Sequence, residues 1–247
     1  MELPGTPSDG VTEITDNGNG LITTLFVSMA TRHPDGTDAD YLQWHSLDHR
    51  PEQHRLSAVR ASLRLVSTPA CRAARAVQHG RLDDVDHVMT YFFSDTAGLE
   101  GFLTLSKALG AAGRKLALLP HLERGVYDVR HKAAAPRIKI GADVLPWWPI
   151  KGAYLLLESA AVPAADLIEV DGVAGVWSTT ALDVGPRLAS APPGQQLTYC
   201  FLDQDPVETA HRLAPALEKR WNATAVEPLF AAPFHPVVPY EWDRYLP

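Results

Sequence analysis

The order of predicted secondary structure occurs twice along this 247-residue chain, and this repetition constrains the fold more than any other feature. With a shift of 108 residues, Thr90-Tyr91-x-Phe93-x-Asp95 matches Thr198-Tyr199-x-Phe201-x-Asp203. The match continues without a gap into apolar positions of a predicted helix in both halves. A repeat of this kind indicates two copies of one supersecondary unit.

The first half predicts the order β-α-β-β-α-β, which is the ferredoxin-like motif. A helix should begin at Thr37 and end near Arg50, because the residue before Pro51 disfavours the helical region. A second helix should follow Asp95. Alternation of apolar and polar residues with a period of two predicts strands over Leu21–Thr31, Ala58–Val66, Val85–Ser94 and Gly125–His131.

The second half restarts the pattern with a shorter first helix, at most two turns over Pro163–Val170. Asp205-Pro206 is a strong start for its second helix, with an acidic cap followed by proline. A last strand lies within residues 226–247. The other strands are predicted over Gly152–Glu158, Val173–Leu182 and Leu197–Leu202.

These elements predict an α+β fold made of two ferredoxin-like halves. A four-stranded sheet with two helices on one face leaves the other face bare, and two such sheets can cover each other. We predict a flexible arm over residues 1–20, a first half over 21–132, a linker over 133–149 and a second half over 150–247. The last of these includes an aromatic and proline-rich tail.

Composition narrows the class of protein. The net charge is −7 and the pI is near 5.8, which argues against a nucleic-acid partner. No apolar run is long enough to span a bilayer, and Met1–Gly20 lacks the apolar region of a signal peptide. Cys71 and Cys200 lie far apart and predict buried thiols. We therefore expect a cytoplasmic protein without membrane contact, either a monomer or a homodimer.

The segment Tyr41-x-x-Trp44-His45-x-x-x-His49-Arg50 lies between the first strand and the Ala58–Val66 strand. It resembles the first helix of EthD-like members of the dimeric α+β barrel superfamily, here as a tandem pseudo-dimer. The resemblance implies a ligand cavity between the helices and the sheet of one half. It also implies a cofactor-independent enzyme for a small, apolar, oxygenated compound, acting by monooxygenation, cyclisation or isomerisation. The second half has no Trp-His cluster.

His45 and His49 are the first candidates for catalysis, because the i, i+4 spacing places them on one helix face and histidine titrates near neutral pH. Arg50 is a candidate for holding an anionic oxygen of the ligand. Candidate ligand-binding residues are Trp44, His54, His87 and Tyr91. His87 and Tyr91 share a strand face, although the matching Tyr199 in the second half favours a packing role for Tyr91.

Two alternatives stay open at the level of sequence. One is a haem or metal enzyme: some relatives of this fold bind haem through one histidine, and His45 and His49 could bind a divalent metal with Asp48 or His54. The other is a non-catalytic binding protein in which the histidines are incidental. No nucleotide-binding or α/β-hydrolase motif is present. The prediction is a small-molecule ligand and no cofactor.

Overall fold

The computed structural model describes Gly5 and residues 21–77, 80–116 and 118–246, with only the backbone of Arg81. Apart from Gly5, the predicted arm over residues 1–20 lies outside the described residues. The strands in the described part are β1 (Thr24–Ala30), β2 (Val59–Val66), β3 (His87–Phe93), β4 (His121–Ala134), β5 (Gly152–Glu158), β6 (Val173–Ala181), β7 (Gln196–Leu202) and β8 (Pro228–Pro236).

These strands close into an antiparallel barrel in the order β1-β3-β2-β8-β5-β7-β6-β4. The first four strands form one half with the spatial order β4-β1-β3-β2, and the last four repeat it as β8-β5-β7-β6. Each half therefore joins its second strand to the fourth strand of the other half. The prediction of two ferredoxin-like halves packed as a dimeric α+β barrel is confirmed, with both units in one chain.

Helical segments cover the outside of the barrel. They are α1 (Asp38–Trp44), a π-helical turn (His45–His49), α2 (Arg50–Gln53), α3 (Pro69–Ala73), α4 (Gly98–Ala111) and α5 (Pro206–Ala223). Short 3₁₀ turns lie at Gly80–Asp84, Ala142–Trp147 and Ala165–Glu169. The last of these confirms the truncated first helix of the second half.

The segments from α1 through the π turn to α2 run without a break and are called here the first helix. The expected end near Arg50 is wrong, because the helix continues through Pro51 to Gln53. The Arg50 N–H donates to the carbonyl of His45, five residues back, in the wider π winding. The π turn thus interrupts the regular i to i−4 bonding just where proline could not take part in it.

The barrel interior holds a large core whose members include Phe92, Trp177, Tyr199 and Phe201. The opposite faces of the same strands pack against the helices, as Tyr91 and Phe93 do against Phe102 of α4. Tyr91 and Tyr199 therefore face opposite sides of the sheet. The sequence match that equated them is one residue out of register in the strands, and it gives no reason to assign Tyr91 a packing role.

β4 is twice as long as predicted and reaches into the expected linker. Its second part, from Tyr127 to Ala134, pairs with β6 of the other half, so the strand continues along the seam. The rest of the linker packs on the barrel, where the indole Nε1 of Trp177 donates to the Ala142 carbonyl at 2.9 Å. Both cysteines are free and buried, as predicted.

Candidate functional site

A cavity of about 210 Å³ lies between the first helix, α4 and the outer face of the first-half sheet. Its lining is largely apolar and aromatic at one side and basic at the other. Apolar and aromatic lining residues are Phe26, Ala30, Tyr41, Trp44, Met89, Tyr91, Phe102, Leu103, Leu118 and Leu119. Polar lining residues are Ser28, His45, His49, Arg64, Ser106, Lys115, His121 and Arg124.

The π turn places both histidines against this cavity. Trp44, the last residue of α1, stacks on His49 with ring centroids 5.1 Å apart. Tyr41 stacks on His45 at 5.9 Å, so the rings of the first helix support one another. Single π turns inside α-helices are frequent at functional sites. The resulting surface is a wall of aromatic and imidazole rings with few polar atoms.

His45 and Tyr91 are brought into contact from the helix and from β3. The Tyr91 hydroxyl lies 3.2 Å from Nε2 of His45, and both side chains are buried. Burial, together with the charges of Arg64, His49 and Arg50, lowers the pKa of His45 well below its usual value. Burial raises the pKa of Tyr91. At neutral pH this pair is therefore an uncharged imidazole beside an uncharged phenol.

Arg64 of β2 lies on the cavity wall and is only 5% exposed. Its guanidinium lies over the Tyr41 ring at 4.9 Å. Within the described part of the chain, no carboxylate pairs with it, and its Nε and one Nη have no hydrogen-bond partner. A buried cation without a partner is costly, which makes Arg64 a candidate for contact with a ligand.

The other three predicted site residues lie at different distances from the cavity. The half-buried Arg50 does not line the cavity, although its charge acts on both Tyr91 and His45. His87 is buried beside the cavity, and its Nε2 lies 2.7 Å from Oδ1 of Asp38. Nε2 of His54 lies 2.7 Å from the Ser62 hydroxyl, on the exposed side of the helix end.

The histidines of the first helix were candidates for binding a metal ion together with Asp48 or His54. In the described residues, no group of three histidine, cysteine or carboxylate side chains is placed to hold an ion. Asp48 instead pairs with Arg114 at 3.1 Å. Nε2 of His49 lies 3.3 Å from the amide nitrogen of Gln53.

Sequence reasoning missed several lining residues, above all Arg64, Lys115, His121 and Arg124. Alternation along β2 places Arg64 on the face opposite Leu63 and Leu65, and the first helix covers that face. Strand alternation was the available signal, because Arg64 pairs directly with Met89, a neighbour of Tyr91 on the same strand face. Lys115 and His121 lie around the α4–β4 connection, where no periodic pattern points to a site.

The equivalent space in the second half is filled. Side chains of β5, β7 and α5 pack there against the short 3₁₀ turn; the cluster includes Tyr154, Leu156, Leu167, Cys200, Leu213 and Leu217. At its edge Arg220 forms a buried ion pair with Glu158 at 2.7 Å. The cavity described above therefore belongs to the first half.

No family model and no curated protein matches this chain. Among solved structures, an anthrone oxidase-like protein matches 88% of this chain and 92% of its own, at 14% identity and a TM-score of 0.51. A candidate chlorite dismutase matches 92% of this chain and 100% of its own, at 10% identity and a TM-score of 0.53. At such identities the similarity shows the fold, and it agrees with the dimeric α+β barrel derived from strand order.

A candidate monooxygenase from Fusobacterium nucleatum subsp. nucleatum matches 88% of this chain and 94% of its own, at 11% identity and a TM-score of 0.47.

No helix in the described residues is both long and apolar enough to cross a bilayer.

Proposed function

We propose that this protein is a cofactor-independent oxidase or oxygenase of a small aromatic compound with an enolisable or phenolic oxygen. The observation that carries the proposal is the pairing of two groups on one cavity wall. Neutral, buried His45 can accept a proton, and partnerless Arg64 can hold the negative charge that its removal creates. General base and oxyanion stabiliser are the two functions that such chemistry requires.

The protonation states fit this division of roles. If Nε2–H of His45 donates to the Tyr91 oxygen, the lone pair of the neutral ring lies on Nδ1, which has no partner among the described residues. The raised pKa of Tyr91 keeps its proton in place. That hydroxyl can then donate to the substrate oxygen beside Arg64. Removal of a C–H proton would leave an enolate held by the phenol and the guanidinium.

Anthrone is a suitable probe, because the name of one structural neighbour refers to its oxidation and because the cavity wall is aromatic. The base takes one proton from the methylene carbon, and the enolate electrons pass to O₂. A C–O bond forms, and loss of water gives anthraquinone. One anthrone and one O₂ yield one anthraquinone and one water, so the balance needs no further reductant.

Binding of haem has less support from the residues that line the cavity. The cavity of about 210 Å³ is smaller than the range of roughly 300–1,000 Å³ typical of drug-sized ligands. A porphyrin would have to displace the aromatic wall, and the equivalent space in the second half is filled by side chains.

The test is aerobic oxidation of anthrone, followed by O₂ uptake and anthraquinone absorbance, with the uncatalysed rate subtracted. His45→Gln should lower turnover by about 10²- to 10⁴-fold, which is the usual contribution of a general base. Near-UV circular dichroism of the variant establishes that the fold is retained.

His54→Gln is the matched control, because His54 directly follows the same helix but lies outside the cavity lining. Its turnover should equal that of the wild type. Equal turnover in H45Q and wild type, or a wild-type rate no higher than the uncatalysed one, would overturn the proposal.

A further inference from the structure

Apart from Arg64, the basic side of the cavity has no part in the proton transfer proposed above. It is formed by Arg64 of β2, Lys115 after α4, and His121 and Arg124 at the start of β4. These residues come from three separate stretches of chain. The fold therefore collects three permanent positive charges and an imidazole at one end of a small aromatic cavity.

No acidic group lines this end of the cavity among the residues that the structure describes. The nearest carboxylate along the chain, Glu123, lies on the other face of β4. It accepts a hydrogen bond of 2.8 Å from Gln195 in the barrel interior. The charges of Arg64, Lys115 and Arg124 consequently have no carboxylate partner within the described part of the chain.

His121 responds to this excess of positive charge. Burial, with Arg124, Arg64 and Lys115 around it, lowers the pKa of His121 to about 4. Nδ1 of His121 lies 3.0 Å from the Ser28 hydroxyl. When that hydroxyl donates to Nδ1, the neutral ring presents Nε2–H as one further donor. A site with donors only, and no acceptor carboxylate, is suited to a negatively charged oxygen group.

We propose that Arg64, Lys115, His121 and Arg124 form a carboxylate subsite, so that the ligand of this cavity is an aromatic acid. The inference rests on the proposed function in taking the first-half cavity as the substrate site, and it narrows the substrate class. Lys115 and Arg124 supply positive charge, and a guanidinium such as that of Arg124 can bind a carboxylate through two parallel hydrogen bonds. The rings of Trp44, Tyr41 and Phe102 hold the aromatic part.

The experiment compares two probes with the same ring system, 2-naphthoate and 2-naphthalenemethanol, by isothermal titration calorimetry at low salt. The full-length wild type should bind the acid at least about tenfold more tightly than the alcohol, as expected for charge-assisted hydrogen bonds. The double variant Lys115→Ala/Arg124→Gln should lose this preference and retain its affinity for the alcohol. The single variant Arg124→Lys should keep part of the preference.

Lys107→Ala/Arg130→Gln is the control, because it removes the same net charge from exposed positions on α4 and β4 that do not line the cavity. It should keep the full preference for naphthoate. Equal binding of acid and alcohol by the wild type, or equal losses in both double variants, would overturn the subsite.

Failure of the subsite and failure of the proposed function give different results. If H45Q keeps the naphthoate preference while its anthrone turnover equals that of the wild type, the subsite stands and the catalytic step falls. If neither probe binds the wild type, the cavity does not select aromatic acids and the inference is refuted.

Discussion

Arg64 in the first half and Arg220 in the second are both buried against the outer face of the barrel, yet their surroundings differ. Arg220 donates two hydrogen bonds to Glu158, at 2.8 and 2.7 Å, at the edge of the packed apolar cluster of that half. Arg64 has a partnerless Nε and lies on a cavity wall. The same residue type therefore stabilises the second half through its partner, whereas in the first half it is a candidate for contact with a ligand.

The largest expected effect comes from breaking the paired arginine. Glu158→Gln leaves the buried Arg220 without a counter-charge and should lower the free energy of unfolding by about 3–5 kcal/mol. Urea unfolding followed by circular dichroism measures this change. Glu218→Gln, on the exposed side of α5, should change stability little. A small loss in E158Q would show that the ion pair is not what stabilises the second half.

The opposite result is expected for the partnerless arginine. Arg64→Met should lower anthrone turnover by about 10²- to 10³-fold, as loss of an oxyanion donor does. Its free energy of unfolding should stay the same or rise, because no ion pair is broken and the cost of burying an unpaired charge is removed. Arg60→Met serves as the control on the same strand, since Arg60 does not line the cavity. If R64M lowered the free energy of unfolding as much as E158Q does, the proposed difference between Arg64 and Arg220 would be contradicted.

A smaller effect tests the two tyrosines that the sequence equated. Tyr91→Phe removes the hydroxyl next to His45 and should lower turnover about five- to tenfold, in line with a net hydrogen bond of about 1 kcal/mol. Tyr199→Phe should leave turnover unchanged, because Tyr199 faces the barrel interior. Steady-state kinetics on both variants decides the matter, and similar losses would favour a shared structural role.

The buried imidazoles of the first half should make the stability of the fold depend on pH. Burial lowers the pKa of both His45 and His87, so the folded state resists protonation that the unfolded chain accepts. Their stabilising effect is complete above the unfolded pKa of about 6.5 and is lost as pH falls toward the folded values.

Each such histidine should therefore reduce the free energy of unfolding by up to about 1.4 kcal/mol per pH unit below pH 6.5. Urea titrations between pH 8 and pH 5 measure the slope. H45Q should show a shallower slope than the wild type, whereas His211→Gln, on the exposed side of α5, should not. Parallel slopes in H45Q and wild type would contradict the assigned burial effect.

The fold could be predicted because strand alternation and helix starts are local properties. Gly152–Glu158 was predicted with its observed bounds, and Asp205 caps α5 by accepting from the backbone N–H groups of Val207 and Glu208, as its sequence indicates. The bounds of β4 depend on pairing with the other half, and no local pattern contains that information. Pro51 was misread because the local rule assumes α-helical winding on both sides.

Part of the candidate site could also be predicted from local sequence patterns. The helical spacing of His45 and His49 and the alternation of β3 fix side-chain directions, and those two histidines, Trp44 and Tyr91 do reach the cavity. His87 shares the strand face of Tyr91, but it lies two residue pairs further along the strand, where Asp38 begins the first helix. Arg64 and His121 join the site through tertiary packing, so their roles are invisible to spacing rules.

The π turn of the first helix also decides which of its residues meet solvent. A π turn closes its hydrogen bond over five residues instead of four and so holds one residue more than an α turn. Leu47, at the centre of this turn, is 47% exposed, whereas His45 and His49 on either side of it line the cavity. Leu47 is therefore a position where the sequence can vary at little cost to the core, while the ring nitrogens on either side stay in the cavity wall.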